Sequence, residues 1–187
     1  MTGGSATHAG IGFQDKVAAL LAVHILADAP VDFLGLPANI TPTSIELETS
    51  APVDDILVST SGGGFCFINV KKSVTLSHNP ESPLGSVLEQ FVRLWIACDF
   101  GRSGRSWQRP LVPDRDRLVL VTGGPRSSRF AEAVANVLGR MADRRSITPR
   151  ESVASTEPEG QAYDTVLKLL RASSRRHTGE EPSDELL

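Results

Sequence analysis

The stretch Val53–Ser73, VDDILVSTSGGGFCFINVKKS, decides the fold. Residues 54–61 and 65–73 are both rich in β-branched and apolar side chains, and Gly62, Gly63 and Gly64 lie between them, which predicts a β-hairpin. The second run is apolar on both of its alternating faces, as a central strand covered on both sides would be. Taking the three glycines as the loop puts Asp55 opposite Lys71 and Leu57 opposite Asn69. Asn69 and Lys71 share a face because strand side chains alternate with period two. Asp55, Asn69 and Lys71 thus converge at the open end of the hairpin, and a one-residue change of register would exchange Asp54 for Asp55.

Upstream of the hairpin, residues 1–12 are small and Gly-rich and read as a flexible lead-in. From Phe13 to Ala27, FQDKVAALLAVHILA, the apolar residues Phe13, Val17, Leu20, Leu21 and Ile25 recur at helical spacing, with His24 among them. Pro30 and the stretch LGLPANITP end that helix in a loop. Residues 43–50 alternate as a strand does. Downstream, Pro83–Asp99 reads as a helix with proline in its first turn and the stripe Leu84, Val87, Leu88, Phe91, Leu94, Trp95 and Cys98. A Gly- and Arg-rich loop over 101–115 leads to a short buried strand, RLVLVT, at 117–122. A helix over Ser127–Met141 with Ser127 as its N-cap, a loop over 143–158, a helix over Gly160–Ala172 and a polar, disordered tail from Ser173 complete the chain. A hairpin inside this order implies an α/β fold, a mixed central β-sheet flanked by helices, over residues 13–172, with 1–12 as lead-in and 173–187 as tail.

The 187 residues suffice for one domain with a sizeable core, and a net charge of −3 argues against a wholly electrostatic nucleic-acid binder without excluding a local basic surface. The two cysteines, Cys66 and Cys98, sit among apolar neighbours and read as buried core residues in a reducing compartment. The N-terminus has no basic region followed by an apolar run, and the longest apolar run, Val17–Ala27, is too short to span a membrane and contains His24. The expected location is the cytoplasm, with no membrane partner.

The convergent residues suit phosphodiester hydrolysis, which needs charge stabilisation and an activated water. A carboxylate such as Asp55 suits Mg²⁺, which prefers hard oxygen ligands and keeps several waters. Such a metal acidifies a bound water and polarises the phosphoryl oxygen. Lys71 would position that water and stabilise the developing charge. Asn69 offers a neutral oxygen ligand or a water anchor, the Val70 carbonyl a further ligand, and Glu48 a second carboxylate. Alternation puts Glu46 and Glu48 on one face, so periodicity does not choose between them. A plain cross-strand ion pair between Asp55 and Lys71 is the bland alternative.

The order GIGFQDKVAALL at 10–21, IELE at 45–48, VDDILV at 53–58 and FINVKKS at 67–73 resembles the PD-(D/E)XK nuclease domains found at the N-termini of bacterial anti-phage effectors of the CBASS and AVAST type. The resemblance covers roughly residues 3–75 and, more loosely, the helix from Pro83. It implies a restriction-endonuclease-like fold and a DNA endonuclease dependent on Mg²⁺, or on Mn²⁺ in its place. In that scheme Gln14 takes the polar position of the first helix, Asp55 the metal carboxylate, Asn69 the acidic or amide position and Lys71 the catalytic lysine. Asn69 departs from the usual Glu or Gln. The implied partners are double-stranded DNA, a sensor or regulatory module that is fused or separate, and further copies of the chain in a homo-oligomer.

Contacts to DNA are expected from Lys72, Arg105, Trp107 and Arg126. Arg102, Arg105, Arg109, Arg115 and Arg117 surround Trp107 in sequence, and arginine with an aromatic ring suits nucleic acid. Two rival functions stand beside the nuclease. One is a degenerate nuclease fold that binds nucleic acid or a partner protein, to which Asn69 and the acidic net charge point. The other is a nucleotide-binding α/β protein using Gly123 and Gly124 of VTGGPRSSR, although no phosphate-loop pattern is present. His8, His24, His78 and His177 show no metal spacing.

Overall fold

The computed structural model describes residues 3–100, 104–123, 129–142 and 150–179. The chain divides into two compact units, residues 1–72 with 93–123, and residues 73–92 with 124–187. The first unit holds helix α1 (Gly3–Leu26), a 3-10 turn (Asp32–Leu34) and four strands, β1 (Pro42–Leu47), β2 (Ile56–Thr60), β3 (Phe65–Lys71) and β4 (Arg117–Thr122). Helix α2 (Pro83–Phe100) lies in the chain between β3 and β4. The strands lie in the order β1-β2-β3-β4, with β2 antiparallel to both neighbours and β4 parallel to β3. The fold is therefore α/β, with a mixed sheet flanked by helices.

Alternation sorts the two inner strands. Ile56 and Val58 of β2 and Cys66, Ile68 and Val70 of β3 bury themselves against Val17, Ala18 and Leu21 of α1. The opposite face carries Leu57, Phe67 and Asn69, and Phe67 meets the edge of the Trp107 ring at a centroid distance of 6.2 Å. Five consecutive residues of β3 are buried, as its two-sided apolar pattern requires of a central strand.

The hairpin register differs from expectation. Leu57 pairs with Phe67 rather than Asn69, a shift of two residues. The loop is Ser61–Gly62–Gly63, not the three glycines. The Gly63 N–H donates to the Thr60 carbonyl at 2.9 Å, and Gly63 takes a left-handed φ of 69°. Gly64 has already joined the ladder, exchanging bonds with Thr60: the Thr60 N–H reaches the Gly64 carbonyl at 3.1 Å. Only glycine fits there, because a Cβ on residue 64 would stand 2.0 Å from the Arg115 carbonyl oxygen. A three-residue loop ending in a left-handed glycine is a common hairpin closure. An even shift leaves every side chain on its expected face.

The second unit is helical. Its helices are α3 (Arg129–Ala142), the short α4 (Arg150–Val153) and α5 (Glu157–Thr178). Ala133, Val134 and Val137 of α3, Val153 of α4, and Ala162 and Tyr163 of α5 form its core. Helix α5 starts ahead of the expected Gly160, since the Thr156 side chain caps it by accepting from the Glu159 N–H and Pro158 sits in its first turn. It also runs past Ala172 into the expected tail. Ser173 and Ser174 are buried, Arg175, Arg176 and His177 complement the negative helix end, and Gly179 closes it in a left-handed conformation. At the other terminus α1 begins at Gly3, inside the expected lead-in. Part of the expected loop over 143–158 is helix α4 and the start of α5. Ser127, the expected cap of α3, lies outside the described residues. Among the described residues no helix is long and apolar enough to cross a membrane.

Candidate functional site

The residues in question gather where the β2–β3 ladder ends, beyond the pair Ile56–Ile68. The next N–H facing β2 is that of Val70, and the Asp55 side chain takes it: Val70 N to Asp55 Oδ2 is 2.6 Å. A charge-assisted bond of this length replaces the backbone pair that a longer strand would have made. Lys71 Nζ stands 3.6 Å from the same Oδ2, with the two side chains 29 % and 19 % exposed. An ion pair of this exposure contributes about 0.2–1 kcal/mol. From α1, Gln14 Nε2 donates to the Asp55 carbonyl oxygen at 3.0 Å. On the other side the Glu48 N–H donates to the same carbonyl at 3.3 Å. Asp55 is thus held by α1, by the end of β1 and by β3.

Three of the expected residues, Gln14, Asp55 and Lys71, therefore come together, although the two-residue register shift means that Asp55 does not face Lys71 directly. Asn69 shares the strand face of Lys71 but is fully buried, and the observed register, carried one step past the Ile56–Ile68 pair, sets it rather than Lys71 across from Asp55. Glu48 is exposed and follows the end of β1 with a left-handed φ of 48°, so strand alternation no longer governs it. Glu46 remains in β1 opposite Leu57. Period two therefore does not link the two glutamates.

Oxygen atoms of the kind Mg²⁺ prefers lie at this end of the hairpin. Asp55 Oδ1 accepts no hydrogen bond among the described residues, Oδ2 being the atom engaged. In an extended strand the N–H and C=O of one residue point the same way, so the Val70 carbonyl faces Asp55's side of the strand, as its N–H does. Glu48 is exposed, and its backbone N–H joins it to the Asp55 carbonyl. One or two carboxylates with several waters is the usual protein complement of Mg²⁺. Among the described residues no three His, Cys, Asp or Glu side chains cluster to hold a metal ion.

The expected DNA contacts divide. Lys72 and Arg105 are exposed. Trp107 is buried to 8 % exposure against Phe67, so its ring is a core element and not a platform for a base. Arg126 lies outside the described residues. Two other arginines near Trp107 in sequence, Arg109 of the loop and Arg117 at the start of β4, are structural. Arg109 grips Asp116 through both nitrogens, at 2.6 and 2.9 Å, and stands 5.3 Å from the centre of the Phe65 ring. Arg117 donates to the carbonyls of Gly35, Pro113 and Asp116.

Asp116 is the residue that sequence reasoning missed. It also accepts from the Phe65 N–H at 2.8 Å and the Val112 N–H at 2.6 Å. Burial alone would raise its pKa, but the hydrogen bonds from Arg109, Val112 and Phe65 outweigh that and hold the carboxyl below the usual range. It ties the 105–116 loop to the start of β3. The only signal in the sequence is an acid set between Arg115 and Arg117 ahead of an apolar strand, which does not single out Arg109 as its partner.

Gly123 has a packing reason of its own. Its N–H continues the β3–β4 pairing to the Lys71 carbonyl at 3.1 Å, and a Cβ there would meet the Phe13 ring at 2.9 Å. Gly124 and Ser127 of the same motif lie outside the described residues. No protein-family model, no curated protein and no solved structure matches the chain.

Proposed function

We propose that the first unit is a metal-dependent DNA endonuclease domain of the PD-(D/E)XK, restriction-endonuclease-like kind, working as an effector in bacterial anti-phage defence. The observation that carries this reading is the convergence of Gln14, Asp55 and Lys71, from three separate segments of the chain, at one end of a hairpin. The mixed four-stranded sheet is consistent with that fold. Asp55 Oδ1, the Val70 carbonyl and Glu48 would hold Mg²⁺, or Mn²⁺ in its place. The ion would supply Lewis-acid polarisation and an acidified water. Lys71, partly exposed and restrained by Asp55, would meet a non-bridging oxygen of the scissile phosphate and stabilise the charge that grows on it. Gln14 fixes the backbone that carries Asp55. The exposed Lys72 and Arg105 would take flanking phosphates of double-stranded DNA. Unrestrained cutting is toxic, so a sensor or regulatory module, fused or separate, belongs with this activity.

The complete burial of Asn69 favours a second reading, a nuclease fold that binds nucleic acid or protein without cutting. The test is loss of supercoiled plasmid with Mg²⁺, beside Asp55→Asn, which keeps an acceptor for the Val70 N–H, and Lys71→Ala. The nuclease reading expects each variant to fall about 100-fold or more in rate while keeping its melting temperature within a few degrees. Nicking that survives both substitutions sinks it. Saturable DNA binding without cleavage by the wild type establishes the second reading.

A further inference from the structure

Trp107 is buried, but another aromatic residue at the end of α2 is not. Phe100, the last residue of that helix, is 70 % exposed. Its ring meets that of the half-buried Trp95 edge to face, with centroids 6.5 Å apart and planes at 86°. Arg93, Ile96, Ala97 and Phe100 follow one another at helical spacing and so line one side of this helix end. Arg93 is exposed, and Ile96 and Ala97 are half-buried. Two bonds hold the helix end to the loop that follows. The Cys98 thiol donates to the Trp107 carbonyl at 3.6 Å, and Gln108 Nε2 donates to the Ala97 carbonyl at 3.2 Å. The exposed ring therefore stands on a held backbone.

The charge around it identifies the occupant. Residues 93–113 contain four arginines and a single acid, Asp99, in a chain whose net charge is −3. Arg93 and Arg105 are exposed, and neither side chain has a hydrogen-bond or ion-pair partner among the described residues. An accessible ring with uncommitted guanidinium groups in its neighbourhood suits a ligand whose every repeat carries a flat apolar face and a negative charge. An unpaired nucleotide is such a ligand. Duplex DNA fits less well, because its bases already stack on one another and offer no free face. We infer that Phe100, backed by Trp95, is a stacking platform for an unpaired base of a DNA strand, with Arg93 taking a phosphate of the same strand. The inference rests on the DNA binding that both readings above share, and it extends the substrate from duplex to single-stranded DNA. The platform is separate from the Asp55 site. The loop it is bonded to meets the sheet at Phe67, near the start of β3, whereas Lys71 ends that strand.

Fluorescence anisotropy with labelled oligothymidylate tests this on the full chain, in EDTA so that no strand is cut. The wild type is expected to bind the single strand more tightly than its duplex with oligodeoxyadenylate. Phe100→Ala should raise the single-strand Kd about tenfold, the loss of one stacked base. Phe100→Tyr, which keeps a ring, should hold the wild-type value. Arg93→Ala should reduce the slope of log Kd against log salt by roughly 0.7, the share of one phosphate contact on a single strand. Because Phe100 points largely to solvent, its truncation should leave the melting temperature in place. An unchanged Kd for Phe100→Ala overturns the proposal, as does tighter binding of the duplex. Displacement of the oligonucleotide by polyglutamate as readily as by unlabelled oligothymidylate would reveal bare charge attraction, or a surface for acidic protein, and would sink it too. A wild type that binds neither form of DNA also overturns it. Plasmid nicking by that same preparation would then confine the failure to this surface, and no nicking would extend it to the nuclease reading.

Discussion

Cys66 and Cys98 show how burial sets chemistry at a single atom. Both are free and buried. Burial pushes the Cys66 thiol up to about 12 and the Cys98 thiol up to about 11. Each therefore stays protonated at pH 8, where an ordinary cysteine is partly thiolate, and only the thiolate attacks alkylating reagents. In the native protein iodoacetamide should modify neither residue on the timescale at which it modifies the unfolded chain, and labelling followed by mass spectrometry should track unfolding by denaturant. Fast labelling of Cys66 under native conditions would mean that the sheet face against α1 opens readily. The apolar neighbours in FCFI and WIACDF already announce two buried thiols. The Asp116 clasp on Arg109 was not announced, because its partners come from loop positions that no periodicity constrains.

At the scale of elements, glycines separate what the chain requires from what it tolerates. Gly64 is required by the close pass of the Arg115 backbone, whereas Gly12, inside α1, has nothing within 4 Å of where a Cβ would stand. Gly64→Ala should destabilise the protein by about 1–3 kcal/mol through overpacking. Gly12→Ala should stabilise it by about 0.5–1 kcal/mol, since glycine is a poor residue for a helix interior. Opposite shifts of the denaturation midpoint in urea would bear out the pair, and a neutral Gly64→Ala would mean that the turn can re-form in another register. The order of strands and helices was legible because periods of two and 3.6 write themselves along the chain. The register was not, because three consecutive glycines give no sign of which one adopts the left-handed conformation and which one admits a neighbouring backbone. The convergence of Asp55 and Lys71 was legible all the same, since an even slip preserves faces. The helical ends at Gly3 and Thr178 were hidden, since glycine-rich and charged segments look alike whether or not they are ordered.

At the scale of the molecule, a buried carboxylate has a leading part in the core of the helical second unit. Glu159 accepts from Arg140 at 2.9 and 3.0 Å, from Asn136 at 3.1 Å, and from the backbone and hydroxyl of Ser155 at 2.8 and 2.9 Å. The Arg140 guanidinium first, and the Ser155 N–H next, hold its carboxyl far below the usual glutamate range, against the opposing effect of burial. A depressed folded pKa contributes stability that is present above the unfolded value of about 4.3 and is lost as pH falls toward the folded value. Glu159→Gln should therefore lower the melting temperature at pH 7, and the gap from wild type should narrow below about pH 4. Hydrogen exchange should show the loss concentrated in α3 and α5, with β2 and β3 less affected. A gap that widens on acidification would contradict this assignment.

The ladder's ending at Asp55 has a consequence for how such a chain ages. One oxygen of this aspartate finishes the hairpin by taking the Val70 N–H, so the fold itself has a use for an acceptor at residue 55. Lys71 has no comparable duty, for its described bond is a partly exposed ion pair. On the proposed nuclease reading, selection for folding would still guard position 55 in descendants that no longer cut DNA, while position 71 would be among the first to drift. On that same reading, a retained lysine at 71 in relatives is the better witness to the proposed chemistry, and a retained aspartate at 55 testifies chiefly to an intact hairpin.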